Sequence, residues 1–140
     1  MTREEKDLLL KDLSARLPYG VIVETPKGKG HVCDINLTIF GNEAGVNIKA
    51  TSRDKFDIED IQPYLFPLSS MTEEQYNSFI IVSGWDGDYE DIKRGKFSCI
   101  GYIGLDYIYD TIDWLNKNHF DYRGLIPEGL AIDATGLNIY

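Results

Sequence analysis

Between Tyr19 and Pro67 apolar and polar residues alternate in short runs separated by Gly, Pro and Asn, which is the period of strands rather than helices. Gly20-Val21-Ile22-Val23-Glu24 is rich in β-branched residues, and Thr25-Pro26-Lys27-Gly28-Lys29-Gly30 supplies the backbone freedom for a reversal. A hairpin is expected, with its tip over 27–30. In its second arm His31, Cys33, Ile35 and Leu37 fall on one face, and Val32, Asp34 and Asn36 on the other. Gly41-Asn42-Glu43-Ala44-Gly45 reads as a further turn cluster. Val46-Asn47-Ile48-Lys49-Ala50 alternates again, as does Phe56-Asp57-Ile58-Glu59-Asp60-Ile61. Pro63 and Pro67 are expected to end the pairing, because proline cannot donate to a ladder.

On either side of this stretch the period becomes helical. Thr2-Arg3-Glu4-Glu5 has the form of a capping box, Leu10, Leu13 and Leu17 recur at helical spacing with Leu9 beside them, and Pro18 and Gly20 stop the run. Thr72-Glu73-Glu74-Gln75 repeats the capping pattern and predicts a helix over 72–82, with Tyr76, Phe79 and Ile80 on its apolar face; Ser83-Gly84 breaks it. A third helix is predicted over 105–118. Leu105, Ile108, Ile112 and Leu115 share one side of it, while Asp106, Asp110 and Asp113 form an acidic stripe on another, with Lys117 one turn on. Residues 96–104 read as either extended or loop. Leu130, Ile132 and Ala134 alternate like a last strand that adds to a sheet edge.

Four short strands joined by tight turns cannot bury both faces of a flat sheet, so a small curled, barrel-like antiparallel sheet is expected. It resembles the Src-homology or Tudor type of small β-barrel, over about a third of the chain and on strand spacing and the closing Phe56 to Pro63 segment. Such barrels share architecture without sharing function. The fold class is α+β: an N-terminal helix and β unit over 1–67, then a mostly helical half over 68–140, the two packed as one unit.

A second resemblance lies in wording. Leu13-Ser14-Ala15-Arg16-Leu17-Pro18-Tyr19-Gly20, the run from Pro63 to Glu74, and the run from Asp113 to Ile126 followed by Gly129-Leu130-Ala131 cover about half the chain. They resemble a family of small uncharacterised proteins of gut anaerobes and their mobile elements. That resemblance implies no activity and carries over no catalytic residue.

Composition narrows the function classes. The chain has 140 residues, 43% of them hydrophobic, enough for a real core. Its apolar runs are far shorter than the roughly 20 residues of a membrane span, and the charged N-terminus lacks a secretory hydrophobic segment, so a cytoplasmic protein with no membrane partner is expected. Cys33 and Cys99 have no Cys-x-x-Cys spacing and read as reduced thiols. The net charge of −9 is uneven, with twelve acids against five bases in residues 68–140. Direct phosphate binding needs clustered bases, so nucleic acid is disfavoured, whereas an acidic face suits a basic protein partner or mimics nucleic acid.

Chemistry-bearing motifs are few. Lys27-Gly28-Lys29-Gly30 invites comparison with a phosphate-binding loop, but the further glycines and the following helix are missing. In Trp85-Asp86-Gly87-Asp88-Tyr89-Glu90-Asp91 the alternating acids begin like a calcium loop. Asp91 stands where the turn glycine belongs and Phe97 where the bidentate Glu belongs, which excludes an EF-hand. No metal or cofactor is called for. His119, Asp121 and Arg123 form the candidate catalytic constellation, a histidine near a carboxylate as proton shuttle and an arginine for an anion. No nucleophile motif accompanies them. Structurally, the same residues end a helix and turn the chain.

Three functions are therefore expected, in this order. The first is a non-enzymatic protein-interaction or regulatory module, with candidate binding residues Trp85, Tyr89, Asp106, Asp110 and Asp113, since aromatic anchors favour interfaces. The second is a small hydrolase-like enzyme using His119, Asp121 and Arg123. The third is an acidic nucleic-acid mimic that binds a basic protein.

Overall fold

The computed structural model describes residues 1–49, 52–85, 87–94 and 105–140, residue 105 by its backbone alone. The reading of 96–104, the calcium-loop acid Asp86 and the second thiol, Cys99, lie outside the described residues. Two compact units emerge, Met1–Leu65 with Arg123–Tyr140, and Phe66–Tyr122. Residues 123–140 belong with the first unit, because Leu125, Leu130 and Ala131 are part of its core.

In the first unit α1 (Arg3–Arg16) starts where the sequence places it. Thr2 Oγ1 accepts from Glu5 N at 3.1 Å, and Thr2 N donates to the Glu5 carboxylate at 2.6 Å. A single turn (Leu17–Tyr19) follows, and Gly20, at φ 71°, takes the left-handed conformation that ends it. Strands β1 (Ile22–Thr25), β2 (Gly28–Thr38), β3 (Gly41–Lys49) and β4 (Ser52–Asp57) form an antiparallel meander. β5 (Gln62–Pro67) then lies antiparallel beside β1. β7 (Ile132–Asp133) adds to β5 in parallel, through Tyr64↔Ile132 and Leu65↔Asp133. The last alternating run thus joins a sheet edge, as expected. The sheet is open and mixed rather than closed into a barrel, since β4 pairs with β3 and β5 turns its other side to β7. Leu9 and Leu13 of α1 pack with Val21, Val23, Val32, Ala44, Val46, Phe56, Ile61 and Leu65 in one core.

Three local readings change. Residues 41–45 are strand rather than turn, since Ala44 and Val46 both feed the core. The simple alternation of β2 is broken by a bulge at Cys33: Val32 opposes Val46 while Asp34 opposes Gly45. The bulge lets Val32 and Ile35, three residues apart, both face the core; strict alternation would have turned Asp34 inward. Pro63 lies inside β5 instead of ending the pairing, whereas Pro67 is the last residue of the strand, as expected. Each ladder on β5 is only two rungs long, so the missing donors disrupt little.

The second unit is built from α2 (Glu73–Ser83), α3 (Tyr89–Lys93), α4 (Leu105–Lys117) and the short strand β6 (Phe120–Asp121). α2 carries the expected capping box, with Gln75 N donating to Thr72 Oγ1 at 3.1 Å and Thr72 N to Gln75 Oε1 at 2.9 Å. Gly84, at φ 65°, ends it, its N–H donating to Ile80 O. α3 occupies part of the stretch read as an acidic loop. β6 runs parallel to the end of β5 through Phe66↔Phe120 and Pro67↔Asp121. The core joins Leu68, Met71, Phe79, Ile92, Leu115, Phe120 and Tyr122, with the Trp114 and Phe120 rings stacked at 5.7 Å. Among the described residues no helix is long and apolar enough to cross a membrane.

Candidate functional site

The two hairpin turns of the first unit are built alike. In Thr25-Pro26-Lys27-Gly28 the threonine Oγ1 donates to Gly28 O at 2.6 Å and accepts from Lys27 N at 3.1 Å. In Thr38-Ile39-Phe40-Gly41 the threonine Oγ1 donates to Gly41 O at 2.5 Å and accepts from Phe40 N at 3.3 Å. Gly28 and Gly41 both take positive φ, 118° and 141°, a region open to glycine. The turn-making work is done by the outer Thr and Gly in each case. Their central residues differ in kind: Pro-Lys in the first, Ile-Phe in the second.

Nothing in the turn requires that difference. Proline and lysine are ordinary exposed turn residues, whereas a branched aliphatic and a phenyl ring gain nothing from water. Ile39 is 93% and Phe40 95% exposed, and Leu37 beside them is 72% exposed. Hence the β2–β3 hairpin ends in three closely spaced apolar residues whose side chains lie mostly in water. Beside this tip, a cavity is lined by Phe40, Asp57, Glu59 and Lys6 among others. Lys6 bonds Glu59 at 2.7 Å, which holds the Glu59 carboxyl below its usual range and raises the lysine. Lys55 pairs with Glu43 at 3.5 Å.

The outer face of the same hairpin carries a polar cluster. Arg53 of β4 reaches over Gly45 to grip Asp34 through Nε at 2.5 Å and Nη2 at 2.6 Å. A Cβ on Gly45 would stand 2.5 Å from Asp34 Oδ2, so glycine there is a condition of the grip. These hydrogen bonds lower the Asp34 carboxyl and raise the Arg53 guanidinium. Partial burial of the thiol, then the Asp34 carboxylate, raises Cys33.

The residues singled out from sequence are distributed differently. Trp85 is half-buried in the second core, and its ring lies so close to Gly87 that a Cβ there would collide with it. The Tyr89 ring packs on Tyr76 at 5.0 Å, and its hydroxyl donates to Met71 O. Both aromatics serve packing, which removes the argument that they are presented to a partner. Asp106, Asp110 and Asp113 do line an exposed face of α4, with Tyr109 81% exposed among them. Among the described residues none of these carboxylates forms an ion pair with Lys117 or any other base.

His119 turns the chain after α4 at φ 62°, its N–H donating to Asn116 O and its carbonyl accepting from Phe66 N at 2.8 Å. Asp121 is buried in β6. Arg123 belongs to the first unit and stands 3.6 Å from Asp12, a fully buried carboxylate that also holds buried Arg16 at 2.8 and 3.1 Å. The arginine is thus already engaged by a carboxylate. Among the described residues no three His, Cys, Asp or Glu side chains converge as a metal site.

A turn read at 41–45 passes over Ile39 and Phe40. A signal was present: an apolar pair between a Thr and a Gly, where the parallel Thr-x-x-Gly turn thirteen residues earlier has Pro-Lys. Comparison with known proteins adds nothing further, since no family model, curated protein or solved structure matches this chain.

Proposed function

We propose that this protein is a non-enzymatic interaction module that presents the Leu37-Ile39-Phe40 tip of the β2–β3 hairpin to an apolar pocket on a partner protein. The observation that carries this reading is the pair of matched turns. One has a polar centre and the other an apolar one, so the exposed Ile39 and Phe40 answer to something other than the turn itself. Water-exposed apolar side chains contiguous on a protruding element favour a binding role. Burying each in a partner contributes about 1.5–3 kcal/mol. Phe40 has the size of an interface anchor, and the rigid hairpin behind it limits the entropy lost on docking.

The test uses the protein's own second turn as the replacement. Ile39→Pro with Phe40→Lys installs the Pro26-Lys27 centre in the second hairpin. The variant is expected to fold with an unchanged far-ultraviolet spectrum. It should also lose a partner that the wild type retains from host lysate, with at least about 30-fold weaker binding to that purified partner. Equal binding by the two proteins would refute the reading.

A further inference from the structure

We infer that the pocket receiving Ile39 and Phe40 is rimmed by Lys or Arg and belongs to a basic protein rather than to a lipid bilayer. The inference rests on the interaction reading above and adds the chemistry of the partner. Its basis is the charge left over beside the tip of the hairpin. Lys6 is tied to Glu59 at 2.7 Å and Lys55 to Glu43 at 3.5 Å, so both local bases are neutralised by carboxylates. Asp57, which lines the cavity beside Phe40, and Asp60 two residues past Ile58 are exposed. Among the described residues neither is within ion-pair distance of a base. With the two ion pairs balanced, Asp57 leaves negative charge beside Phe40, in a chain whose total is −9.

A tip designed for a bilayer has the opposite surroundings. Interfacial anchors place Lys and Arg beside their apolar residues, because cell membranes carry anionic lipids and each nearby base adds roughly 1 kcal/mol of attraction. Here carboxylates would approach the same surface and be repelled. Toward a protein pocket the arrangement works well: the phenyl ring and the isoleucine enter the apolar floor, while Asp57 and Asp60 meet bases on its rim. Rim charges of this kind steer encounter and fix orientation, and their effect falls as salt rises. A second copy of the chain, with the same acidic tip and the same net charge, is disfavoured by that repulsion.

The experiment takes the polypeptide whose retention needs Phe40, purifies it, and titrates it by calorimetry against three proteins: wild type, Ile39→Pro/Phe40→Lys, and Asp57→Asn/Asp60→Asn. The carboxamide pair is expected to weaken binding roughly fivefold at low salt, with the gap to wild type closing near half-molar sodium chloride. Phosphatidylcholine vesicles with and without phosphatidylserine form the lipid arm, and neither is expected to sediment the protein. Wild-type affinity in the carboxamide variant, with dependence on Ile39 and Phe40 retained, would overturn the inference and leave the interaction reading standing. Phe40-dependent sedimentation with either vesicle would overturn the inference in favour of a membrane. If no retained polypeptide depends on the tip, both readings fail.

Discussion

Replacing Asp12 by asparagine keeps the shape of the side chain and removes one charge from the most deeply buried ionic cluster of the first unit. Asp12 and Arg16 are both fully buried, one helical turn apart on α1. The carboxylate takes two hydrogen bonds from Arg16, at 2.8 and 3.1 Å, and has Arg123 Nε at 3.6 Å. Two guanidinium groups thus lean on one carboxylate, and of the three side chains only that of Arg123 meets water. Breaking a buried pair by removing one partner costs about 3–5 kcal/mol, because the remaining charge has already lost its hydration. Against a typical total of about 5–15 kcal/mol this is a large share. Asp12→Asn should accordingly lower the thermal midpoint by roughly 10–20 °C, and the urea midpoint with it, at unchanged m-value. The matched control, Asp12→Leu with Arg16→Leu, removes the α1 charges together. Arg123, 30% exposed at its side chain, is already in contact with water. That variant should recover most of the loss, since apolar replacement of a whole buried pair is often close to neutral. Circular dichroism at 222 nm and urea titration measure both. A cost under about 1 kcal/mol for Asp12→Asn would refute the claim that this carboxylate balances the buried guanidinium groups.

Four further outcomes are expected. Burial and, for Tyr64, the hydrogen bond to Glu24 at 2.6 Å push the Tyr64 and Tyr140 hydroxyls up to about 12. Unfolded tyrosine ionises near 10, so the stability tied to these neutral phenols is complete below about pH 10 and is lost as pH rises toward 12. Urea midpoints across that range should fall, and Tyr64→Phe should flatten the fall. Gly30→Ala should cost about 1–3 kcal/mol, because its Cβ would stand 2.7 Å from the Asn47 carbonyl oxygen, which is backbone and cannot step aside. Gly45→Ala should cost less, since it meets the movable ends of Asp34 and Arg53; similar midpoints for the two variants would contradict this. Thr2→Ala and Thr72→Ala each remove a capping box and should destabilise by about 1 kcal/mol in denaturant titration. Ile39→Ser, at a 93% exposed position, should leave the urea midpoint within about 0.5 kcal/mol of wild type.

The sequence by itself determined whatever closes within a few residues. Both capping boxes, the starts of α1 and α2, the stop at Gly20 and the span of α4 were legible, because their hydrogen bonds and their apolar faces recur at fixed local spacing. So was the helix-ending role of His119 and the strand character of Ile132, along with the α+β class.

Tertiary structure decided the rest, wherever a residue's fate depends on what distant chain offers it. Cys33 became a bulge because Val46 and Ala44 across the ladder needed both Val32 and Ile35. Residues 41–45 became strand because β4 and the core claimed Ala44, although their glycines and asparagine favour a turn. Arg16, a helix-end base on local grounds, is fully buried with its partner Asp12, whose carboxylate also has Arg123, from the far end of the chain, at 3.6 Å. Trp85 and Tyr89 were taken up by packing, whereas Ile39 and Phe40 were left in water by a hairpin too long for the core to cover. Hydrophobicity is written in the sequence; whether a hydrophobic side chain finds a partner inside its own chain is settled by contacts many residues away.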